Sequence, residues 1–340
     1  MNKEVNAIDL FKLFFAIGIV GIHSGIIRII PVPIDYYIMK LWFRIGVPYF
    51  FIASGYFFDK KLKFDAPSEN ISRAISFCSR LLIPLLIWSN LRLAKDLLQD
   101  IRSNNNWQSQ VIIDIHNNIF YPKAGMWFVA SMMLAALIIS ILYKHEALLI
   151  ILAIIGYSFA LITNSYYFLI EGTAFQILVD TYLQYFVSAR NGLFVGLSFF
   201  GTGIFISRRE KNGIRFNAFQ SYIIFIVLLV AYILEILLLF GKMSADDNSI
   251  FISSALVSGS LFIASKNIKM PYNKNVSIVM RDLSKYIFFT HSFVMSYLSF
   301  VISRITQNEL IILIHALVIC SIIYLISKKS DYKFIKKLVP

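Results

Sequence analysis

The sequence predicts an all-α membrane protein: a polytopic transmembrane helix bundle of about ten spans with both termini in the cytoplasm. Three observations predict this fold class: the composition, the number of long apolar runs, and the distribution of lysine and arginine. Hydrophobic residues make up 58% of the 340 residues and charged residues 15%, and the mean hydropathy is +0.70. Soluble domains average roughly 45–50% apolar and about 25% charged residues. Lipid accounts for the excess, because a soluble protein would have to cover it with polar groups.

A membrane span needs about 20 mostly apolar residues, and ten stretches of the chain supply one. We place the spans at residues 7–27, 39–58, 73–93, 125–143, 147–163, 189–206, 219–240, 249–265, 284–303 and 309–327. The connecting stretches 94–124 and 164–188 are long, and we expect them to lie outside the membrane. The first run holds Asp9 and Lys12 and lacks a small-residue cleavage site, which indicates a retained helix rather than a signal peptide. We expect one membrane-embedded domain over residues 1–340.

The formal net charge of +13 could indicate a nucleic-acid partner. However, the basic residues cluster between the apolar runs and form no continuous stripe, so we interpret them as a topology signal and expect no nucleic acid. With the N-terminus inside, nineteen lysine and arginine residues fall in cytoplasmic segments and eight in outer segments. This bias places both termini in the cytoplasm. Cys78 and Cys320 lie in apolar runs, so we expect no disulfide.

The first span carries a stripe of ionisable residues. Lys12 and His23 are eleven residues apart, so they lie within about 20° of the same helix face and about 16 Å apart along the axis. An ionisable residue at membrane depth is costly and is therefore a functional candidate. A histidine held neutral among packed helices can act as a general base. The alternative is a histidine that only bonds a carbonyl of a neighbouring helix, and the spacing leaves both readings open.

Other spans hold a second group of candidate residues. Arg73 and Arg80 lie seven residues apart on one face of the third span, near its cytoplasmic end, where they suit a phosphate-bearing ligand. Anchoring of the span by positive charge is the alternative. His291 in the ninth span is a further candidate catalytic residue. The candidates for an acceptor-side or structural role are Arg44, Ser54, Trp127, Arg190 and Glu235.

These motifs, taken in order, resemble the acyltransferase-3 family of bacterial integral membrane acyltransferases. The family pattern in the first span is a basic residue, ten others and a histidine, which Lys12 and His23 match. The further matches are Ser54 and Gly55 after a phenylalanine-rich run, Arg80 and Pro84 in RLLIP, Trp127 with Phe128, and His291. The chain departs from many members in having Lys12 in place of arginine. It also has Phe77 where some members carry a second arginine in the third span.

The resemblance implies transfer of an acyl group, often acetyl, from cytoplasmic acyl-CoA to a hydroxyl of a cell-envelope or exported glycan, in the bacterial inner membrane. It implies His23, Lys12 and His291 as catalytic candidates, with His23 as general base or acyl carrier, and Arg73 and Arg80 as donor-binding residues. The implied partners are acyl-CoA, a carbohydrate and the bilayer, with no metal and no permanently bound cofactor. Two alternatives remain open: a transporter or flippase for a lipid-linked glycan, and transfer to an amino acid or peptide.

The charge bias makes a testable topology prediction. Single cysteines introduced at Thr173 and Asn212 should differ in labelling by a membrane-impermeant thiol reagent applied from the outside. We expect labelling at Thr173, in the stretch predicted to be outer, and none at Asn212. Labelling of both residues, or of Asn212 alone, would show that the predicted number of spans is wrong by at least one.

Overall fold

The computed structural model describes residues 6–24, 44–103, 107–246, 248–271, 273–302, 309–330 and 338–339. These residues form an all-helical structure without strands. The twelve α-helices in the described part of the chain are α1 (Asn6–Ser24), α2 (Gly46–Asp59), α3 (Pro67–Ser103), α4 (Trp107–Phe120), α5 (Trp127–Ile141), α6 (Glu146–Ile162), α7 (Ala174–Phe186), α8 (Leu197–Lys211), α9 (Ala218–Leu239), α10 (Ser254–Asn267), α11 (Lys274–Ile302) and α12 (Glu309–Lys329).

Every predicted span contains one of these helices, and this agreement confirms the all-α class. Four helices (α1, α3, α9 and α12) are long and apolar enough to cross a membrane, and α5 and α6 are shorter apolar helices. The total of ten spans and the cytoplasmic position of the termini stay predictions. Residues 25–27 and 39–43, which belong to the first two predicted spans, lie outside the described residues.

The long connecting stretches contain more helix than the sequence pattern indicated. Helix α3 continues to Ser103, which makes it 37 residues long, or about 55 Å. It therefore extends well beyond the thickness of a bilayer core, about 30 Å. The antiparallel neighbour α4 follows and packs back against α3. The described part of the stretch 94–124 is thus a helical hairpin, and the stretch 164–188 contains α7.

Helices α2 and α8 approach each other closely through two glycines. A Cβ on Gly55 would lie 2.1 Å from the carbonyl oxygen of Phe200, and a Cβ on Gly203 would lie 2.0 Å from that of Ile52. No side chain fits at either position, so the two backbones touch. Small residues allow this kind of approach between membrane helices.

The remaining helices surround this pair. One large core contains buried residues of α2, α3, α5 and α8, among them Phe51, Phe128 and Phe200. A smaller core joins α1 to α11 and α12 through Ala16, Val20 and their neighbours. Helix α1 therefore lies between the central pair and the two C-terminal helices, and residues on its different faces contact both groups.

The glycine contact between α2 and α8 predicts a sharp difference between two substitutions on the same helix. Gly203→Ala places a methyl group inside the backbone of α2, and such overpacking costs about 1–3 kcal/mol or more. Gly201→Ala is the matched control, because a Cβ there meets no atom within 4 Å and alanine favours helix. Thermal unfolding in detergent should show a lower melting temperature for Gly203→Ala only. Equal melting temperatures would contradict the contact.

Candidate active site

Two cavities lie at opposite ends of helix α1. The first, about 580 Å³ in volume, is lined by His23 near the C-terminal end of α1 and by His291 of α11, and we call it the histidine cavity. The second, about 760 Å³, contacts α1 at Ile8, and we call it the basic cavity. Ile8 and His23 are separated by fifteen residues, or about 22 Å of helix.

The two histidines predicted as catalytic candidates come together in the histidine cavity. Their ring centroids are 5.3 Å apart. His23 is exposed to the cavity, whereas His291 is buried. The Nδ1 of His291 lies 2.7 Å from the carbonyl oxygen of Phe288 and 3.0 Å from that of Ile287.

Because a carbonyl oxygen only accepts hydrogen bonds, Nδ1 of His291 carries the proton in this arrangement. Its Nε2 therefore has a lone pair. That nitrogen is buried and has no hydrogen-bond partner within the described part of the chain. A backbone hydrogen bond that fixes the tautomer and leaves the other nitrogen free is an arrangement suited to accepting a proton.

A shelf of two aromatic rings and one guanidinium forms one wall of the histidine cavity. The rings of Tyr121 and Trp127 stack with centroids 5.8 Å apart and an angle of 12° between their planes. The guanidinium carbon of Arg190 lies 5.1 Å from the first ring centroid and 5.4 Å from the second. Arg190 is also held by Asp246 at 3.1 Å and by the hydroxyl of Ser188. Trp127 and Arg190, both singled out in the sequence, thus share this wall.

A chain of ion pairs from the α3–α4 hairpin forms another wall, and the sequence did not predict it. Asp96 accepts from Arg92 Nε at 3.0 Å and from Lys123 Nζ at 2.8 Å. Lys123 also pairs with Asp114 of α4 at 3.0 Å. Burial, and next the carboxylate of Asp114, raise the pKa of the neighbouring Asp100. A helical pattern running past residue 93 was the signal that could have placed Arg92 and Asp96 on one face.

The basic cavity lies at the ends of α1, α2, α8 and α10 that the charge bias predicts to be cytoplasmic. Among the described residues, the charged side chains that line it are Lys60, Arg209, Glu210, Lys211, Arg215 and Lys266. Five described cations thus accompany one described carboxylate. Three of the cations already have carboxylate partners: Arg209 with Glu146, Lys211 with Asp59, and Lys266 with Glu210.

Tyr56, in the Ser-Gly-Tyr segment of α2, is held firmly at this cavity. Its hydroxyl donates to Glu210 at 2.7 Å and accepts from Lys266 at 2.7 Å, and Lys266 and Glu210 also pair directly. The ammonium group of Lys60 lies 4.4 Å from the Tyr56 ring centroid. Neither Lys60 nor Arg215 has a carboxylate partner among the described residues, so both can bind an anionic ligand.

The remaining predicted residues take other positions. Arg80 is exposed, and its Nε donates to the Ser76 carbonyl of its own helix. Arg73 pairs with Glu69 one turn away. These two arginines line neither cavity, so the structure does not bring them together with the charged residues of the basic cavity. Ser54 is half-buried on α2 and also lies away from both cavities, whereas Arg44 lines the histidine cavity.

Lys12 is not brought to the histidines. Its ammonium group lies 5.3 Å from the ring centroid of Phe57 on α2, three helical turns before His23. The Lys12 ammonium group therefore cannot contact the reacting atoms at His23 in this arrangement. The nearby Asp9 is buried and accepts a hydrogen bond from the Ser277 hydroxyl of α11, so it fastens α1 to α11.

Glu235, whose role the sequence left open, has a structural position. Its carboxylate accepts from Tyr166 OH at 2.5 Å, from the backbone amide of Ile252 at 2.6 Å and from that of Ser253 at 2.9 Å. Ser253 is the residue that precedes the first turn of α10. The carboxylate therefore satisfies free amides at the start of that helix, where a negative charge is also favoured by the helix dipole.

The histidine cavity thus combines a base with a free lone pair, a second imidazole, several cations and an aromatic wall. These are the components of a proton-transfer site that can stabilise a developing negative charge. The basic cavity contains two cations that have no carboxylate partner among the described residues, and such cations suit phosphate groups. Within the described residues no group of histidine, cysteine and carboxylate side chains could hold a metal ion.

Comparisons with known proteins show to which proteins and to which family this chain is similar. The curated relatives include an amino-acid racemase of Enterococcus faecalis, 25% identical over 223 residues, or 62% of this chain and 30% of the relative. They also include a serine/alanine racemase of Enterococcus gallinarum, 23% identical over 259 residues, or 75% of this chain and 36% of the relative. The chain thus spans about a third of the length of these relatives. No solved structure matches. Residues 5–327 match the acyltransferase-3 model, described as an acyltransferase domain, and the chain belongs to this family.

Proposed function

We propose that this protein is an inner-membrane O-acyltransferase that moves an acyl group, in the first instance acetyl, from cytoplasmic acyl-CoA to a hydroxyl of a cell-envelope or exported glycan. Family membership supports acyl transfer in general. The observation that carries the finer proposal is the pair of cavities at the two ends of α1, one cationic and one holding two histidines. A reaction between a donor from one side and an acceptor from the other requires such a pair.

The donor binds first in the basic cavity. Coenzyme A carries several phosphate charges at one end, and no carboxylate among the described residues pairs with Lys60 or Arg215 and competes with those phosphates. Charge-assisted bonds from guanidinium and ammonium groups to phosphate are among the stronger ones in proteins. The pantetheine arm is long and thin, and in this proposal it passes between helices along α1. The thioester then reaches His23 from the inner side.

The acceptor enters the histidine cavity from the outer side. An imidazole nitrogen takes the proton of its hydroxyl as the oxygen attacks the thioester carbonyl carbon. The carbon–sulfur bond of the resulting tetrahedral intermediate then breaks. The acyl group stays on the acceptor oxygen, and the CoA sulfur leaves as the thiol with the proton that the imidazole carried. Arg44 lines the same cavity and is the cation that would face the negative oxygen of the intermediate.

His23 is the base in this proposal, because its side chain is exposed to the cavity that admits the acceptor. His291 is buried beside it, and ring centroids 5.3 Å apart allow nitrogens of the two rings to approach hydrogen-bond distance. The free Nε2 of His291 would then accept from the His23 ring and orient it. In a variant of the scheme His23 carries the acyl group, and His291 accepts the proton.

This scheme predicts a graded loss of activity for the two histidines. His23→Gln cannot take the proton, so the rate of thiol release from acetyl-CoA should fall by about 10²–10⁴-fold. His291→Gln should reduce the rate less and change the pH profile of kcat/KM, because it removes only the orienting partner. The assay uses the purified full chain in nanodiscs, and acyl-CoA KM serves as a control for intact donor binding.

Full activity of His23→Gln would show that this histidine is structural, and His291 would take the role of base. The flippase alternative is tested by mass spectrometry of envelope glycans from cells with and without the protein. A mass difference of one acyl group supports transfer. Identical glycan masses, together with no thiol release by the wild-type protein, would contradict the proposed activity.

The position of the donor is tested by two arginine substitutions. Arg215→Gln removes an unpaired cation from the basic cavity, so the KM for acetyl-CoA should rise by roughly tenfold or more, as expected for one charge-assisted bond. The sequence motif assigns the same role to Arg80, whereas its exposed position predicts little effect for Arg80→Gln. A raised KM for Arg80→Gln alone would move the donor site to α3.

A further inference from the structure

We propose that the acceptor carries a carboxylate or phosphate group close to its reacting hydroxyl, and that the terminal amino groups of Arg92 bind this anion. The inference rests on the proposed function, because it concerns the acceptor of the same histidine cavity. It adds the chemical class of the acceptor and a residue that selects it.

The geometry of Arg92 is the first observation. Arg92 lies on α3 and lines the histidine cavity. Its Nε donates to both oxygens of Asp96, at 3.0 and 3.3 Å. Its two terminal amino groups make no hydrogen bond or ion pair with any residue that the structure describes. This end of a guanidinium presents two parallel donors that match a carboxylate or phosphate.

The charge of the cavity wall is the second observation. Among the described residues, Arg44, Arg92, Lys123, Arg190 and the carboxylate of Asp96 line the cavity. Asp96 is shared, since both Arg92 and Lys123 donate to it. Lys123 also pairs with Asp114, and Arg190 pairs with Asp246, so Arg92 is the cation of this wall that only shares a carboxylate. A local excess of positive charge concentrates ligands of the opposite sign. A neutral acceptor would leave the Arg92 donors unused.

The aromatic shelf is the third observation, and it explains how the anion is placed. Tyr121 and Trp127 are stacked, and Arg190 is fixed by Asp246, so this wall is rigid. In this proposal a sugar ring packs its apolar face against one aromatic ring of this wall and turns its substituents to the rim. One substituent then reaches Arg92 while a hydroxyl faces His23. Because Arg92 and His23 line the same cavity of about 580 Å³, the proposal places the anion and the hydroxyl on the same or an adjacent residue of the acceptor.

The test compares three probes of similar size with the full chain in nanodiscs: methyl β-glucuronide, glucose 6-phosphate and methyl β-glucoside. Binding is measured by ligand-detected NMR at fixed ionic strength. We expect at least one anionic probe to bind roughly tenfold tighter than the neutral glucoside, as expected for one charge-assisted bond. The two anionic probes separate carboxylate from phosphate as the group that is recognised.

Variants of Arg92 show whether this residue carries the preference. Arg92→Gln should abolish it, and Arg92→Lys, which keeps the charge but not the fork, should retain part of it. Asp96 keeps Lys123 as its partner in both variants, and equal melting temperatures will check that the hairpin is intact. Arg102→Gln is the matched control, because Arg102 is exposed on the same helix and lies outside the cavity.

Each outcome decides the proposal. Equal binding of all three probes, binding of no anionic probe, or a preference that survives Arg92→Gln would overturn it. The result is separable from the proposed activity, which is measured by thiol release from acetyl-CoA. A chain that consumes acetyl-CoA but shows no preference is an acyltransferase with an uncharged acceptor. A chain with the preference but without acetyl-CoA consumption retains the anion site and loses the proposed reaction.

Discussion

The backbone contact between α2 and α8 is the constraint on which both cavities depend. Gly55 and Gly203 each lie against a carbonyl oxygen of the partner helix, so the crossing point of the two helices cannot slide without a clash. Helix α2 begins just after Arg44 and ends near Tyr56 and Lys60. Helix α8 ends at Glu210 and Lys211. Because a helix is stiff along its length, this one crossing fixes the position of Arg44 at the histidine cavity. It also fixes Tyr56, Lys60, Glu210 and Lys211 at the basic cavity.

The cost of burying charge separates structural from ligand-binding residues in this protein. Asp59 is fully buried, and it accepts from Tyr143 at 2.8 Å and pairs with Lys211 at 2.7 Å. Glu235 is similarly satisfied by backbone amides at the start of α10. Such groups are stable only when they are fully paired. Arg92, Lys60 and Arg215 differ, because no described carboxylate pairs with Lys60 or Arg215 and no described residue bonds the terminal amino groups of Arg92. In the proposed function, these are the donors to which a ligand supplies the missing partner.

The sequence predicted the all-α class and a helix within each span, because apolar runs of span length leave few alternatives to helix in lipid. It also singled out His23 and His291 as separate candidates, from the eleven-residue stripe and from the family resemblance, but their close approach became visible only in the structure. It did not predict Arg92, Asp96, Lys123 or Tyr121. These residues come together only when α4 folds back on α3, and no local pattern encodes that contact. Arg80 and Arg92 lie on the same helix but about 120° apart, so choosing the arginine that lines the cavity required the tertiary packing.

The same packing bears on the choice between acyl transfer and glycan transport. Alternating access moves one group of helices against another around a fixed site, and the interface between the groups must then slide or rock. In this bundle the central interface is backbone against backbone at two glycines, and Asp9, bonded to Ser277, fastens α1 to α11. The proposed acyl transfer across the membrane requires less movement of the helices. Only a thin pantetheine arm would cross most of the bundle, and the acceptor would stay on the outer side. A tightly packed centre with a cavity at each end therefore fits the proposed function, in which the two substrates meet and neither crosses completely.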